Sequence, residues 1–269
     1  MKRILALLAL ALAALTLLAA CELKPAAPFQ LGPYREESGD SGGRRWVRGS
    51  GDVSAETDVN AHMRGQEWTL RVDLPRITTG VAKIVVDESL PFAGKLETDS
   101  NIQAGLHKSY NLSKREIILR GEKDKWYAPT VLTFTVGLPV NRLIINGGWK
   151  LEYNCPGVTD CDIEINGAVD GDLKFGALDT LRLDINGASN CKLTGTAKRV
   201  EIEMDGAADI SAFDLIAQEA SVTLNGAGEC EIMAEQTLRA EINGVGSVIY
   251  DGNPRVDKAV HGIGTVRKR

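Results

Sequence analysis

The sequence is poor in aromatic residues, histidines and recognised catalytic motifs. Aromatic side chains make up 5% of its 269 residues, and the three histidines (His62, His107 and His261) are far apart. It contains no His-Glu-x-x-His, no Gly-x-Ser-x-Gly and no Gly-rich phosphate loop ending in Lys-Ser/Thr. These absences argue against zinc peptidases, α/β-hydrolases and P-loop nucleotide triphosphatases. We therefore expect no cofactor and no metal site.

The apolar run at residues 4–17 is shorter than the ~20 residues that a membrane-spanning helix needs. It follows Lys2 and Arg3 and leads into Leu18-Ala19-Ala20-Cys21, which resembles the lipobox of bacterial lipoproteins. We predict that residues 1–21 are a lipoprotein signal peptide and that Cys21 carries the lipid. An ordinary signal peptide and a membrane anchor are the alternatives.

The chain that follows the predicted leader is acidic. Removing residues 1–21 takes away two of the 31 Lys and Arg and none of the 36 Asp and Glu, which leaves a net charge of −7. This charge argues against nucleic acid as a partner and against electrostatic docking of the body on anionic lipid. Residues 22–45 are rich in Pro, Gly and Ser and are expected to form a flexible tether with a reach of about 25–30 Å.

One short phrase recurs through the second half of the chain. It consists of an apolar residue, then Asn, Asp or His, then Gly, and usually Ala. The Asn, Asp or His positions are spaced 20, 20, 19, 20, 18 and 18 residues apart, at Asn146, Asn166, Asn186, Asp205, Asn225, Asn243 and His261. A fixed period near 20 residues is typical of a solenoid whose repeats bury their apolar faces only against each other.

Alignment of the repeats on this position predicts which side chains point inward. Apolar residues recur three and one positions before it and five and seven positions after it, as in period-2 strands on either side of a Gly corner. We predict an all-β fold over residues 46–269, a single-stranded parallel β-helix with 18–20-residue coils that are regular from about residue 141. An array of Asn-Gly hairpins is the alternative; it would place large residues opposite small ones across its strands.

The region before the regular coils has β signals without a clear period. We extend the coil template to the segment Trp46 to Val53, and we expect irregular coils or capping hairpins between residues 58 and 137. The Gly-Ser-Gly opening, the segments at residues 85–90 and 132–139 and the Ile-Asn-Gly-Ala coils together resemble the GIN domain family of auto-transporter adhesin heads. The resemblance implies a right-handed parallel β-helix on a secreted or surface bacterial protein, and it transfers no catalytic residue.

Three sets of side chains are candidate sites. Cys155 and Cys161 flank a Pro-Gly turn and could form a disulfide, whereas Cys191 and Cys230 share one inward position two coils apart and should be buried thiols. Trp126 and Trp149 could form a platform for sugars or cap the core. The third set is an outward column of carboxylates, which is either a solvated surface or the paired acids of a glycosidase or lyase: Glu164, Asp184, Glu203 and Glu241.

These features favour a non-enzymatic, adhesin-like lipoprotein of the cell envelope. The expected location is the outer membrane if the cell has one, in the periplasm or at the surface, and the expected ligand is a glycan or an envelope protein. A carbohydrate-active enzyme that uses the acidic column and a structural envelope protein are the alternatives.

Overall fold

The computed structural model describes residues 45–58, 63, 65–77 and 81–269, all within the compact unit Gly43–Arg269. These residues form seventeen strands and one short helix, α1 (Ser100–Gln103). The strands are β1 (Arg45–Arg48), β2 (Val53–Asp58), β3 (Trp68–Leu74), β4 (Ala82–Asp87), β5 (Gly94–Asp99), β6 (Leu106–Asn111), β7 (Glu116–Gly121), β8 (Lys125–Ala128), β9 (Leu132–Val136), β10 (Val140–Cys155), β11 (Asp160–Ile185), β12 (Ala188–Met204), β13 (Ala207–Leu224), β14 (Ala227–Ile242), β15 (Val245–Asp251), β16 (Arg255–Val260) and β17 (Ile263–Lys268).

The strands from β10 onward stack as a parallel solenoid. Each of β10 to β13 pairs in parallel with the next strand, and β14 pairs in parallel with both β15 and β16. One column of the core passes in register through Cys191, Ile210 and Cys230. The predicted parallel β-helix is therefore confirmed, and the hairpin array is excluded, because antiparallel pairs would be needed at every Asn-Gly.

The core lies inside the coils, at the positions that the repeat predicted, except in the last copy, where Val260 was expected inside and is 42% exposed because no further coil covers it. Buried and outward residues alternate along β12 and β13, as expected for strands with one face on the core. The position before each corner Asn or Asp is at most 1% exposed at Ile145, Ile165, Ile185, Met204, Leu224 and Ile242. Burying such a side chain contributes about 1.5–3 kcal/mol, so the stacked columns supply much of the stability of the solenoid.

The corner glycines are required by the close approach of neighbouring coils. A Cβ on Gly187 would lie 1.8 Å from the carbonyl oxygen of Gly167, and a Cβ on Gly226 would lie 1.8 Å from that of Gly206. That same oxygen of Gly206 accepts a hydrogen bond from the Ala227 N–H at 2.9 Å. Among the seven corner glycines only Gly147 has a φ in the left-handed region, at 123°, so close approach and not a positive φ requires glycine at the others.

The irregular N-terminal part continues the solenoid and then caps it. β3 and β4 pair in parallel with β10, and β7 and β9 add a further parallel layer. The next strands are antiparallel: β6 pairs with β7, β5 with β9, and β2 with β5. The expectation of irregular coils and capping strands is confirmed for this region.

The coil template is wrong for the segment from Trp46 to Val53. β1 forms a separate two-stranded parallel ribbon with β8 instead of a coil, and β2 is an antiparallel edge strand. Val53, expected in the core, is 47% exposed. The template fails because these residues have no neighbouring repeat in the sequence on which to stack.

The last coil consists of β16 and β17, which pair only with β14 and β15. Lys258 occupies an inward position that is apolar in the other coils, and its Nζ donates to the carbonyl oxygen of Val266 at 3.4 Å. Lys268 donates to Asn253 at 2.7 Å, and the Arg269 guanidinium lies 4.7 Å from the ring centre of Phe213. Lys258 therefore places a charged group at the end of the core, as is common at exposed sheet edges.

Candidate functional site

The acidic column lies on one face of the solenoid, with Glu164 and Asp184 in β11, Glu203 in β12 and Glu241 in β14. Asp184 is in register with Glu203, Glu203 with Thr223, and Thr223 with Glu241. Each of the four carboxylates has a nearby donor. Asn166 donates to Glu164 (2.7 Å), Arg182 to Asp184 (3.1 Å), Asn225 to Glu203 (3.5 Å) and Asn243 to Glu241 (3.2 Å).

The electrostatics of this column resemble those of a solvated, compensated surface. Arg182 lies within ion-pair distance of both Asp184 and Glu201, and the hydrogen bond to Asp184 raises the pKa of its guanidinium. No group of three His, Cys, Asp or Glu residues suited to a metal ion occurs among the residues that the structure describes. The carboxylates stand side by side on one face of the solenoid, which differs from two carboxylates facing each other across a cleft.

The corner beside this column carries a ladder of amide and carboxylate side chains. Asn186 donates to Asn166 at 3.1 Å, Asn225 to Asp205 at 2.6 Å, and Asn243 to Asn225 at 2.9 Å. At the other end of the ladder Asn146 donates to Asp73. The side-chain hydrogen bonds therefore run along the axis of the solenoid, from coil to coil.

An exposed apolar column runs parallel to this ladder, two residues later in each coil. Its members are in register from strand to strand: Ala168, Ala188, Ala207, Ala227, Val245 and Ile263. All six are exposed, with Val245 at 55% and Ile263 at 65%. We call this column, the corner glycines and the ladder from Asn166 to Asn243 the corner strip. Five steps of ~4.8 Å make it about 24 Å long.

The four cysteines of the folded part are all buried, free thiols. Cys161 Sγ lies 3.3 Å from the Tyr153 hydroxyl, and Cys155 Sγ lies 4.0 Å from the Leu138 carbonyl oxygen. The predicted Cys155–Cys161 disulfide is thus not formed in this structure, and the bond stays a prediction for the oxidised protein. The register confirms that Cys191 and Cys230 stand two coils apart. Cys21 lies outside the described residues.

Burial makes these thiols poor nucleophiles. It raises the pKa of Cys155 to about 11 and the pKa of Cys161, Cys191 and Cys230 to about 12 in each case. Because the thiolate is the reactive form, almost none of it exists near neutral pH. None of the four is therefore suited to a catalytic role.

The predicted Trp126–Trp149 platform is not formed. Trp149 is 3% exposed, whereas the Trp126 ring lies 5.2 Å from that of Trp46, at an interplanar angle of 36°. Sequence reasoning missed this pair. The available signal was that each tryptophan directly follows a cationic residue, in Arg45-Trp46 and in Lys125-Trp126.

A groove of about 490 Å³ lies beside the β1–β8 ribbon. Its charged lining residues are Arg76, Arg120, Lys123, Lys125, Asp73, Glu122 and Asp124. Arg76 pairs with Asp124 at 3.1 Å and Lys125 with Glu122 at 2.7 Å. Sequence reasoning missed this groove as well, because its walls come from two segments that are distant in the sequence, residues 73–76 and 120–127.

Within the described part of the chain, no helix is long and apolar enough to cross a membrane.

No curated protein matches the sequence. Several solved structures share the fold. A putative adhesin from Bacteroides fragilis is 21% identical with a TM-score of 0.66, over 83% of this chain and 100% of that one. A putative adhesin from Parabacteroides merdae is 17% identical with a TM-score of 0.56, over 84% and 99%. A protein titled "Putative lipid binding protein", from Parabacteroides distasonis, is 18% identical with a TM-score of 0.55, over 84% and 100%.

At these identities the solved structures show the fold alone. The family model described as "Putative auto-transporter adhesin, head GIN domain" matches residues 78–254. That range contains six of the seven copies of the repeated phrase and most of the N-terminal part, and it is well over half of the chain. The chain therefore belongs to the GIN-domain family.

Proposed function

We propose that the chain is a membrane-anchored lipoprotein of the cell envelope whose solenoid binds an extended partner without catalysing a reaction. The adhesin-like family points to a non-enzymatic module of the envelope or the cell surface. The partner class is an envelope glycan or an extended segment of an envelope protein. The observation that carries the proposal is the corner strip, which offers the same groups once per coil.

The chemistry of the corner strip suits a polymer with polar edges and an apolar surface. Each amide of the ladder has donors and acceptors beyond those used within the ladder, and these can bind hydroxyl or peptide groups. The methyl groups of the four alanines form a narrow apolar track, which continues through Val245 and Ile263. Contacts that are individually weak add up when a repetitive ligand engages several coils at once.

Anchoring is supported by the leader. The sequence Leu18-Ala19-Ala20-Cys21 follows a basic start and an apolar run, and the next residues have the composition of a tether. Acyl chains on Cys21 would hold the domain near its membrane; Glu22 after the Cys, with no Asp there, favours the outer membrane of a Gram-negative cell. One structural neighbour is described as a "Putative lipid binding protein", which is compatible with a protein that carries a lipid.

Binding is tested on the purified mature chain with a panel of envelope polysaccharides, combined with a pull-down from envelope extracts and detection of cleavage products. We expect a retained ligand that stays chemically intact. The double variant Ala188→Arg/Ala207→Arg should abolish retention, because two long cations would stand in the apolar track. Ser211→Arg, on the outward side of β13 beyond the corner strip, is the matched control.

Each other result decides against the proposal. Polysaccharide products that disappear in Glu164→Gln, Asp184→Asn or Glu203→Gln would establish the carbohydrate-active enzyme instead. Retention that survives the double variant would place the ligand elsewhere on the solenoid. The absence of any retained ligand would favour a structural role in the envelope.

The anchor is tested separately with Cys21→Ser in cells. The wild-type chain should fractionate with membranes and carry acyl groups by mass spectrometry, while the variant should be released or stall as a precursor. Equal solubility of the two forms would disprove the lipid anchor and leave the binding proposal untouched.

A further inference from the structure

The β1–β8 ribbon presents a tryptophan pair at the surface. Trp46 is in register with Trp126, the Trp46 side chain is 51% exposed, and that of Trp126 is half-buried. The other two tryptophans, Trp68 and Trp149, are 1% and 3% exposed. Tryptophan thus reaches the surface of this domain only at the ribbon, in the part of the chain that the structure describes.

Cationic residues surround this pair. The register places Arg45 beside Lys125, and exposed Arg48 and Lys123 lie on the same two segments. The adjoining groove contributes Arg76 and Arg120, and three carboxylates are interspersed among them. This end of an otherwise acidic domain is therefore locally cationic, which the net charge of the whole chain conceals.

The ribbon is attached firmly to the rest of the domain. The Tyr127 N–H of β8 donates to the carbonyl oxygen of Arg76 at 2.9 Å, and the Asn101 side chain donates to the Arg48 carbonyl oxygen at 2.7 Å. Below the ribbon the buried Tyr127 hydroxyl donates to the Gly105 carbonyl oxygen at 2.9 Å. The tryptophan pair is thus a preorganised surface, which lowers the cost of ordering it on binding.

Tryptophan flanked by lysine and arginine is the combination that proteins place at a membrane–water interface. The indole ring lies at headgroup level, while the long cationic side chains reach anionic headgroups. We propose that the β1–β8 ribbon seats the domain on the surface of the membrane that carries its lipid. This inference rests on the proposed lipid anchor at Cys21.

The position of the ribbon in the chain supports this occupant. Only residues 22–44, which belong to the predicted tether of residues 22–45, separate Arg45 from Cys21, and a flexible chain of that length reaches about 25–30 Å. Over such distances the effective concentration of the membrane surface is in the mM range. The ribbon can therefore keep the tethered domain in contact with the membrane surface even if its affinity is too low to bind vesicles from solution.

The test uses the lipidated mature chain in vesicles of phosphatidylethanolamine and phosphatidylglycerol that contain a headgroup-labelled quencher lipid. Because Trp68 and Trp149 are buried, quenching of tryptophan fluorescence reports on the ribbon. We expect strong quenching that is lost in Arg48→Glu/Lys123→Glu, which keeps all four tryptophans, and weakened at about 1 M salt. Lys174→Glu/Lys192→Glu, which reverses two exposed cations of the coils, is the control and should be quenched like the wild type.

Seating and anchoring can fail independently. If mass spectrometry finds no acyl group, the anchor proposal fails, and the ribbon is then tested in residues 22–269 held on chelating-lipid vesicles by an N-terminal oligohistidine tag. Absence of quenching in the anchored chain overturns the seating. Three other results would also overturn it. They are quenching that persists in Arg48→Glu/Lys123→Glu, a fluorescence change caused by polysaccharide instead of vesicles, and a dimer that the Trp46→Ser substitution dissociates.

Discussion

Gly206 lies so close to Gly187 on the preceding coil that a Cβ on Gly206 would stand 1.8 Å from the Gly187 carbonyl oxygen. The obstacle is backbone, which cannot move aside without breaking the hydrogen bond from the Ala207 N–H to that oxygen at 2.8 Å. Each corner therefore accepts only glycine, and the repeated Gly reflects the packing of coil on coil.

We predict that Gly206→Ala lowers the free energy of unfolding by about 3 kcal/mol, at the upper end of the usual cost of overpacking. Ala207→Gly, one residue later on the exposed apolar column, should cost less than about 1 kcal/mol. Urea unfolding of both variants measures the difference. Similar midpoints would show that the corner can relax.

Two substitutions that each introduce a carboxylate test which side chains of the coil point into the core and which point to solvent. Ile210→Asp would bury a charge between Cys191 and Cys230 and should unfold the domain. Thr223→Asp would stand between Glu203 and Glu241 on the outward column, so only a small cost from like-charge repulsion is expected, and added salt should reduce it. Thermal unfolding at low and high salt distinguishes the two; comparable losses would mean that the orientation is wrong.

Asp99 should make the stability of the N-terminal segment depend on pH. Burial alone would raise the pKa of this carboxylate, but hydrogen bonds from Thr130 and from the Gly51 N–H outweigh it and lower the pKa below its ordinary 3.8. Because the pKa of Asp99 is lower in the folded state than in the unfolded state, the charged carboxylate stabilises the fold above pH ~4. This contribution to the free energy of unfolding is lost as the pH falls through the folded-state pKa. We predict that Asp99→Asn destabilises the domain at neutral pH and that its difference from wild type shrinks at lower pH. A difference independent of pH would contradict the role of the charge.

The thiols should be unreactive in the native protein. Because burial raises every cysteine pKa of the folded part to about 11 or 12, iodoacetamide should label none of the four at pH 8 before unfolding. After unfolding without reductant, protein from an oxidising compartment should show two labels, on Cys191 and Cys230, if Cys155 and Cys161 are bonded. That short loop would contribute roughly 2–2.5 kcal/mol. Four labels would show free thiols, and a Cys191–Cys230 bond would contradict the register.

The regular coils were predictable in detail because each repeat stacks on its neighbour in sequence. The position five residues after the corner was expected to point inward, and Leu151, Cys191, Ile210, Cys230 and Val248 all do so, each at most 2% exposed. In a parallel solenoid the sequence offset is also the spatial offset. The alignment of repeats is then already the register of the strands.

The N-terminal region was predictable only as β structure with caps. There β3 pairs with both β7 and β10, and β4 with both β9 and β10, so partners are distant in sequence and the spacing follows no period. Extension of the repeat to Trp46 failed for this reason. Hydrophobic alternation indicated strands but could not select their neighbours.

By itself the sequence determined the solenoid: its period, its inward and outward columns, the corner glycines and the acidic column. Only the tertiary structure decided that Trp46 stacks on Trp126, that Asp99 is held by Thr130 and Gly51, and that the corner ladder and the alanine column run side by side as one strip. A repeat carries its own stacking information because identical coils must present identical faces to each other. Contacts between unlike segments carry no such signal, because they depend on how the chain closes around the end of the core.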